Sequence, residues 1–235
     1  MVKKIDILGI QLDNYSVHEA MQKVDVYLNN TVMNLVGTIT THTIEEAEKN
    51  ETVREYIELL DLAIIGEAGL LKAAGINVTS RVKETEEHLF FFEFMKRMVR
   101  NDKKVCLLAE DESALESFRT YLEEEFESIR IVSGYGVDKE ERSMDYLVNE
   151  INADDPDVIL SVLPTPQQES FLKENRLKLS AKLWYGIGDA DRIHKKAKGI
   201  RAIRSRLKSR RLKKKMVNYH NEKTYSDSEN DNEKQ

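Results

Sequence analysis

Cysteine is nearly absent from this chain, long apolar runs are absent altogether, and each scarcity closes off a class of protein. The single cysteine, Cys106, lies in the apolar run 105–108. That excludes a disulfide scaffold and reads as a small core residue in a reduced compartment. No stretch approaches the roughly 20 consecutive apolar residues that a spanning helix needs. No charged-then-apolar leader opens the sequence, so the expected location is the cytosol or the inner face of a membrane. There is no internal repeat. What is present is enough for one sizeable core: 235 residues, 40% of them hydrophobic, which favours one domain with appendages over two full domains.

Periodicity organises that core into alternating elements. Short runs rich in Val, Ile and Leu at 5–10, 33–38, 62–65, 104–109, 129–133, 158–163 and 182–187 are too short for helices and read as strands. Amphipathic helical patterns fall between them, at 17–28, 44–59, 86–99, 113–125, 139–152 and 167–179. Ser16 followed by Glu19 is a capping-box signature for the first helix. Continuous apolar strands alternating with helices imply an α/β fold, a Rossmann-like parallel sheet covered on both faces.

The composition changes abruptly near residue 192. Thirteen Lys and Arg and no acidic residue occupy 192–215; the whole chain carries −6, so subtracting those thirteen leaves −19 on the remainder. Ile193, Ala197, Ile200, Ile203, Leu207 and Met216 fall near helical spacing and draw an apolar stripe along a cationic helix, a pattern suited to an anionic membrane surface. A packed terminal helix with a solvated basic face, or a non-specific nucleic-acid contact, are the alternatives. The segment interleaves no aromatic platform for single-stranded bases, which argues against a specific nucleic-acid partner. Beyond 218 there is too little apolar content to repay ordering. The expected division is therefore 1–191 as the folded domain, 192–217 as a basic membrane-binding appendage and 218–235 as a disordered tail.

The most informative stretch is 157–176. An apolar run breaks at Pro164 and Pro166 and releases Gln167, Gln168 and Glu169 into a helix start. Polar groups at the carboxyl end of a strand are where α/β folds place ligands, and the two prolines fix a turn that aims the Gln168 amide at one point. The plainer alternative has Thr165 capping a helix and the glutamines solvated.

This stretch resembles the G-x-P-x-Q-E turn of the WecG/TagA/CpsF family of bacterial glycosyltransferases. The likeness recurs in order from about Ile5 to Lys198, through the opening 7–21, the segment 53–65, Arg81-Val82, Gly134-Tyr135, 156–169 and the GIG at 186–188. The resemblance implies a GT-E-type fold and a cell-surface polysaccharide or teichoic-acid enzyme. Such an enzyme moves an N-acetylhexosamine from a UDP-sugar to an undecaprenyl-diphosphate-linked acceptor, inverting the anomeric centre with no cofactor and no required metal. It implies substrate-binding roles for Thr38, Thr40, Gln168, Glu169, Gly186 and Gly188. It further implies a membrane-docked tail in which Lys196, Arg201, Arg204, Arg206 or Arg210 neutralises a diphosphate, and a homo-oligomer or membrane contact that orders that tail.

The chain departs from this pattern at the chemistry. The family's candidate base, an Asp in a D-G turn after the third strand, falls on Gly66; Glu67 is the adjacent carboxylate and either substitutes as base or caps the following helix. The family's T-P-N reads Thr38-Ile39-Thr40, with a hydroxyl for an amide. His42 beside it is an alternative base. Arg81 matches the arginine of R-V-x-G-x-D and is expected to stabilise the leaving diphosphate, but that motif's Gly and Asp fall on Glu84 and Glu86. Gly-Gly after the fourth strand becomes Ala109-Glu110. Asp189 and Asp191 mimic a metal-binding D-x-D and are read here as capping residues. The missing Asp, Asn and glycines leave a second function open, a catalytically lapsed relative that binds or scaffolds an active transferase.

Overall fold

The computed structural model describes residues 4–137, 143–188, 215, 216 and 219. A hairpin of β1 (Lys4–Ile7) and β2 (Ile10–Asp13) leads through α1 (Val17–Tyr27) into β3 (Asn34–Ile39), α2 (Thr41–Ala47), α3 (Glu51–Leu59) and β4 (Leu62–Ile65). Then come α4 (Ala68–Ala73), α5 (Thr79–Glu86), α6 (Leu89–Arg100), β5 (Lys104–Ala109), α7 (Glu112–Glu125) and β6 (Arg130–Gly136). The last elements are α8 (Met144–Ala153), β7 (Val158–Ser161), α9 (Gln167–Asn175) and β8 (Leu183–Gly186). Strands β3 to β8 form one six-stranded sheet in the order β4-β3-β8-β7-β5-β6, and every pairing in it is parallel.

The period-two alternation of the strands explains why both faces are covered. Leu35, Ile39, Cys106, Leu108, Ile159 and Trp184 point to one face, where α2, α3, α4, α8, α9 and the hairpin pack. Their neighbours Val36, Val105, Leu107, Val158, Leu160 and Tyr185 point to the other, against α1, α6 and α7. Strands buried on two sides must read as unbroken apolar runs, which is how they appear in the sequence. Burial pushes the Cys106 thiol up to about 12, in keeping with an inert core residue.

Three elements differ from their sequence pattern. The run 5–10 is not one strand: Leu8 (φ 54°) and Gly9 (φ 81°) form a two-residue turn between Ile7 and Ile10, the left-handed pair that a tight hairpin requires. The helix expected over 44–59 is two, because the Asn50 side chain accepts from Thr52 N and starts α3 afresh. The helix expected over 86–99 begins at Leu89, after His88 at φ 53°, and is preceded by α4 and α5, which the apolar spacing does not signal. The Ser16–Glu19 capping box is formed as expected.

Of the expected appendage only Lys215 and Met216 are described, and of the expected tail only Tyr219. Lys215 Nζ lies 2.6 Å from Glu48 at the end of α2, and Met216 is buried in the core cluster of the hairpin face. A Cβ on Gly9 would lie 2.9 Å from the Tyr219 hydroxyl. Tyr219 packs against the same core cluster. Residues 189–214 and 220–235, with Lys196, Arg201, Arg204, Arg206, Arg210, Asp189 and Asp191, lie outside the described residues.

Candidate functional site

Parallel strands deliver all their carboxyl ends to one edge of the sheet, and a cleft opens there beside β4, β3 and β8. Its wall is formed by Thr38, Thr40, Ile64, Ile65, Gly66, Tyr185 and Ile187 from the strand ends, Asp13 and Tyr15 from β2 and the following loop, and Val17 and Ala20 from α1. Arg81, Glu84, Thr85, His88, Phe90 and Phe91 complete it from α5 and α6. Aromatic rings and a small set of polar groups in a concave wall are the usual make-up of a small-molecule site.

Arg81 is the central cation of this wall and is only 6% exposed. Its Nη1 donates to Glu84 Oε2 at 2.5 Å, while its Nε is buried without a hydrogen-bond partner. The two residues stand one helical turn apart on α5, so the pair is built by local spacing. The same Glu84 oxygen accepts from Val17 N, the first residue of α1, at 3.4 Å. Asp13 accepts from Ala63 N on the edge strand β4 at 2.9 Å and from Lys4 Nζ at 2.9 Å. Thr38 Oγ1 and the Tyr185 hydroxyl are 3.1 Å apart across β3 and β8. His88 holds a left-handed backbone at the cleft rim, a conformation that a β-carbon makes costly and that recurs at functional sites.

Gly66 is packed at the position where the family pattern has a carboxylate. A Cβ there would sit 2.6 Å from Thr38 Cγ2, 3.0 Å from the Ile39 carbonyl and 3.3 Å from Thr40 Cγ2. The methyls of Thr38 and Thr40 thus fill the space that a side chain at 66 would take. Glu67 is the N-cap of α4 by position, yet it makes no side-chain cap to that helix. Its Oε2 instead accepts from Thr41 Oγ1 at 2.5 Å and Thr41 N at 3.3 Å, so it serves the start of α2, where the dipole favours a carboxylate. It does not line the cleft, and neither does the exposed His42.

Gln168 and Glu169 lie on the opposite face of the sheet from Arg81 and Thr38. The Gln168 amide is buried and donates to the Tyr56 hydroxyl at 3.4 Å. Gly186 leaves room for both, since a Cβ there would lie 2.5 Å from the Tyr56 hydroxyl and 2.8 Å from Gln168 Nε2. Glu169 is fully buried; Thr165 Oγ1 donates to its Oε1 at 3.0 Å, and its Oε2 has no hydrogen-bond partner. Thr165 therefore serves Glu169 rather than capping α9, whose N-cap position is Pro166. Burial lifts the Glu169 carboxyl to about 7, because an ionised form there would be desolvated. Gly188, at φ 73° with nothing within 4 Å of a would-be Cβ, continues the chain past the strand edge.

The structure thus gathers Thr38, Thr40 and Arg81 with Gly66 in one cleft, and sets Gln168, Glu169 and Gly186 in a closed polar cluster behind the sheet. Sequence reading missed Asp13, Tyr15, Glu84, Thr85 and His88. Asp13 ends the hydrophobic alternation of β2 with a charge, which is a signal; His88 carries none. Among the described residues no group of three or more His, Cys, Asp or Glu is placed to hold a metal ion, and no helix is long and apolar enough to cross a membrane.

Comparison with known proteins gives a consistent result. The model of the glycosyl transferase WecG/TagA/CpsF family matches residues 5–197. A protein of Staphylococcus aureus strain MRSA252 described as N-acetylglucosaminyldiphosphoundecaprenol N-acetyl-beta-D-mannosaminyltransferase is 24% identical over 204 residues, covering 83% of this chain and 77% of that protein. Its counterpart of the same description in strain NCTC 8325 is 23% identical with the same coverage.

Proposed function

The chain belongs to the glycosyl transferase WecG/TagA/CpsF family, and from that membership we propose that it moves an N-acetylhexosamine, of the N-acetylmannosamine type, from a UDP-sugar to an undecaprenyl-diphosphate-linked sugar. The donor, the inversion and the independence of metal are part of the proposal, as is work at the inner face of the membrane. The observation that carries it is the cleft at the carboxyl ends of β3 and β4, with aromatic walls and a buried guanidinium that has an unmet N–H.

In this reading the acceptor hydroxyl gives its proton to a carboxylate, and its oxygen attacks the anomeric carbon from the side opposite UDP. The bond from that carbon to the diphosphate oxygen breaks, and the electron pair leaves on the diphosphate. Arg81 neutralises the departing charge, which grows in the transition state and is therefore worth more there than in the ground state. Thr38 and Thr40 offer hydroxyls to the sugar. Glu67 is the proposed base, released from Thr41 by a shift of the turn it occupies. The cationic residues Lys196, Arg201, Arg204, Arg206 and Arg210 would hold the membrane and the acceptor's diphosphate. The names of the staphylococcal relatives support an acceptor ending in N-acetylglucosamine.

A second reading, a non-catalytic partner of an active transferase, is favoured by one specific observation: the packed Gly66, with Glu67 turned to α2. Release of UDP from UDP-N-acetylhexosamines, with a lipid-diphosphate-sugar acceptor in anionic vesicles, separates the two. Turnover that falls at least a hundredfold in Glu67→Gln and in Arg81→Ala supports the enzyme. Absence of turnover in the vesicle-bound wild type supports the partner.

A further inference from the structure

We propose that Glu84 is a built-in counter-anion that occupies the phosphate position beside Arg81 and sets how tightly the cleft takes phosphate-bearing ligands; this rests on reading the cleft as a nucleotide diphosphate site. One carboxylate oxygen of Glu84 lies 2.5 Å from the Arg81 guanidinium and 3.4 Å from the first backbone N–H of α1. A guanidinium and a helix N-terminal amide are the two donors that a phosphate oxygen would seek. The neighbouring amide of Glu19 is already taken by Ser16 Oγ, and Ser16 N by the Glu19 carboxylate, while the Val17 amide goes to Glu84.

The occupation is incomplete. Arg81 is buried, yet its Nε finds no acceptor, so the carboxylate engages one arm of a fork that a diphosphate can engage with two oxygens. Charge pulls the same way. The wall carries Asp13 and Glu84 against Arg81, and an incoming diphosphate meets repulsion until the Glu84 carboxylate swings out. Its side chain is 23% exposed against 7% for Arg81, so Glu84 is the partner free to move. Ligand binding therefore exchanges an intramolecular anion for an external one, and its cost is set by residue 84.

Calorimetric titration of the full chain with UDP, and separately with inorganic pyrophosphate, tests this in wild type, Glu84→Gln and the double variant Arg81→Gln/Glu84→Gln. The amide keeps an acceptor for Val17 N and the size of the side chain, but not the charge. The expected result is UDP binding at least tenfold tighter in Glu84→Gln, with the gain erased in the double variant. UDP binding no tighter in Glu84→Gln than in wild type would overturn the proposal and leave the nucleotide reading standing. A gain for pyrophosphate with no UDP binding in any variant would uphold Glu84 as the counter-anion and overturn the nucleotide reading. Binding of neither ligand by any variant overturns both. If Glu84→Gln does not fold, Glu84→Asp, which withdraws the carboxylate by one methylene, is expected to show a smaller gain, and none there counts against the proposal.

Discussion

Gly66 is the position at which one atom decides most. A methyl added there meets Thr38 Cγ2 at 2.6 Å and the Ile39 carbonyl at 3.0 Å, so Gly66→Ala is expected to cost about 1–3 kcal/mol by overpacking. Urea denaturation of Gly66→Ala alone and with Thr38→Ser checks it: removing the opposing methyl should recover most of the loss, and an unrecovered loss would place the strain in the backbone. Glu169 makes a second prediction on the far face of the sheet. Its folded value of about 7 stands above the ordinary 4.5, so the folded chain holds this proton more tightly than the unfolded one. The resulting stability is full below about pH 4.5 and is lost as pH rises through about 7, a change on the order of 3 kcal/mol. The difference in stability between wild type and Glu169→Gln should shift by that amount between pH 4 and pH 8, moving against the wild type, whereas a constant difference would show the carboxyl to be unperturbed. Neither residue is legible from spacing alone. The sequence shows Gly66 as a missing acid and Gln168-Glu169 as a ligand-facing pair, because nothing in a linear pattern tells which face of the sheet a strand-end side chain takes.

Elements are more legible than residues, and the exceptions share a cause. Six of the seven expected strands lie within two or three residues of their limits because a parallel sheet buried on both sides forces continuous apolar runs. The seventh, at 5–10, fails because an antiparallel hairpin needs only a left-handed turn, and one glycine after a leucine is a weak sign of it. Helices α4 and α5 escape notice for a related reason: both are short, and α5 turns Arg81, Glu84 and Thr85 to the cleft wall. The hairpin is held to the edge strand by Asp13, whose carboxylate accepts from the Ala63 amide and from Lys4. Asp13→Ala should lose about 2 kcal/mol, chiefly from leaving that buried amide unpaired, and should speed hydrogen exchange at Ala63 more than at Cys106 on the distant interior strand β5. Equal acceleration at both would mean that the whole sheet is loosened rather than its edge.

At the scale of the whole molecule, the segregation of charge defines two parts that respond to different perturbations. The span 192–215 carries thirteen cations while the rest of the chain carries −19, so an anionic surface attracts one part and repels the other. Each cation near an anionic bilayer contributes about 1 kcal/mol. Replacing Arg201, Arg204, Arg206 and Arg210 by Gln should therefore weaken binding to phosphatidylglycerol vesicles by roughly a thousandfold at low salt, and flatten its dependence on salt. Met216 sits just beyond these cations but is buried against the hairpin face, and Met216→Ala should instead cost about 2–4 kcal/mol of stability with little effect on vesicle binding per folded molecule. Vesicle co-sedimentation and thermal melting of both variants separate electrostatic attachment from packing. If the four-Gln variant binds vesicles as the wild type does, the basic segment is not the membrane contact, and attachment must be sought on the acidic body. If Met216→Ala melts as the wild type does, the contacts of Met216 contribute nothing to the stability of the folded domain.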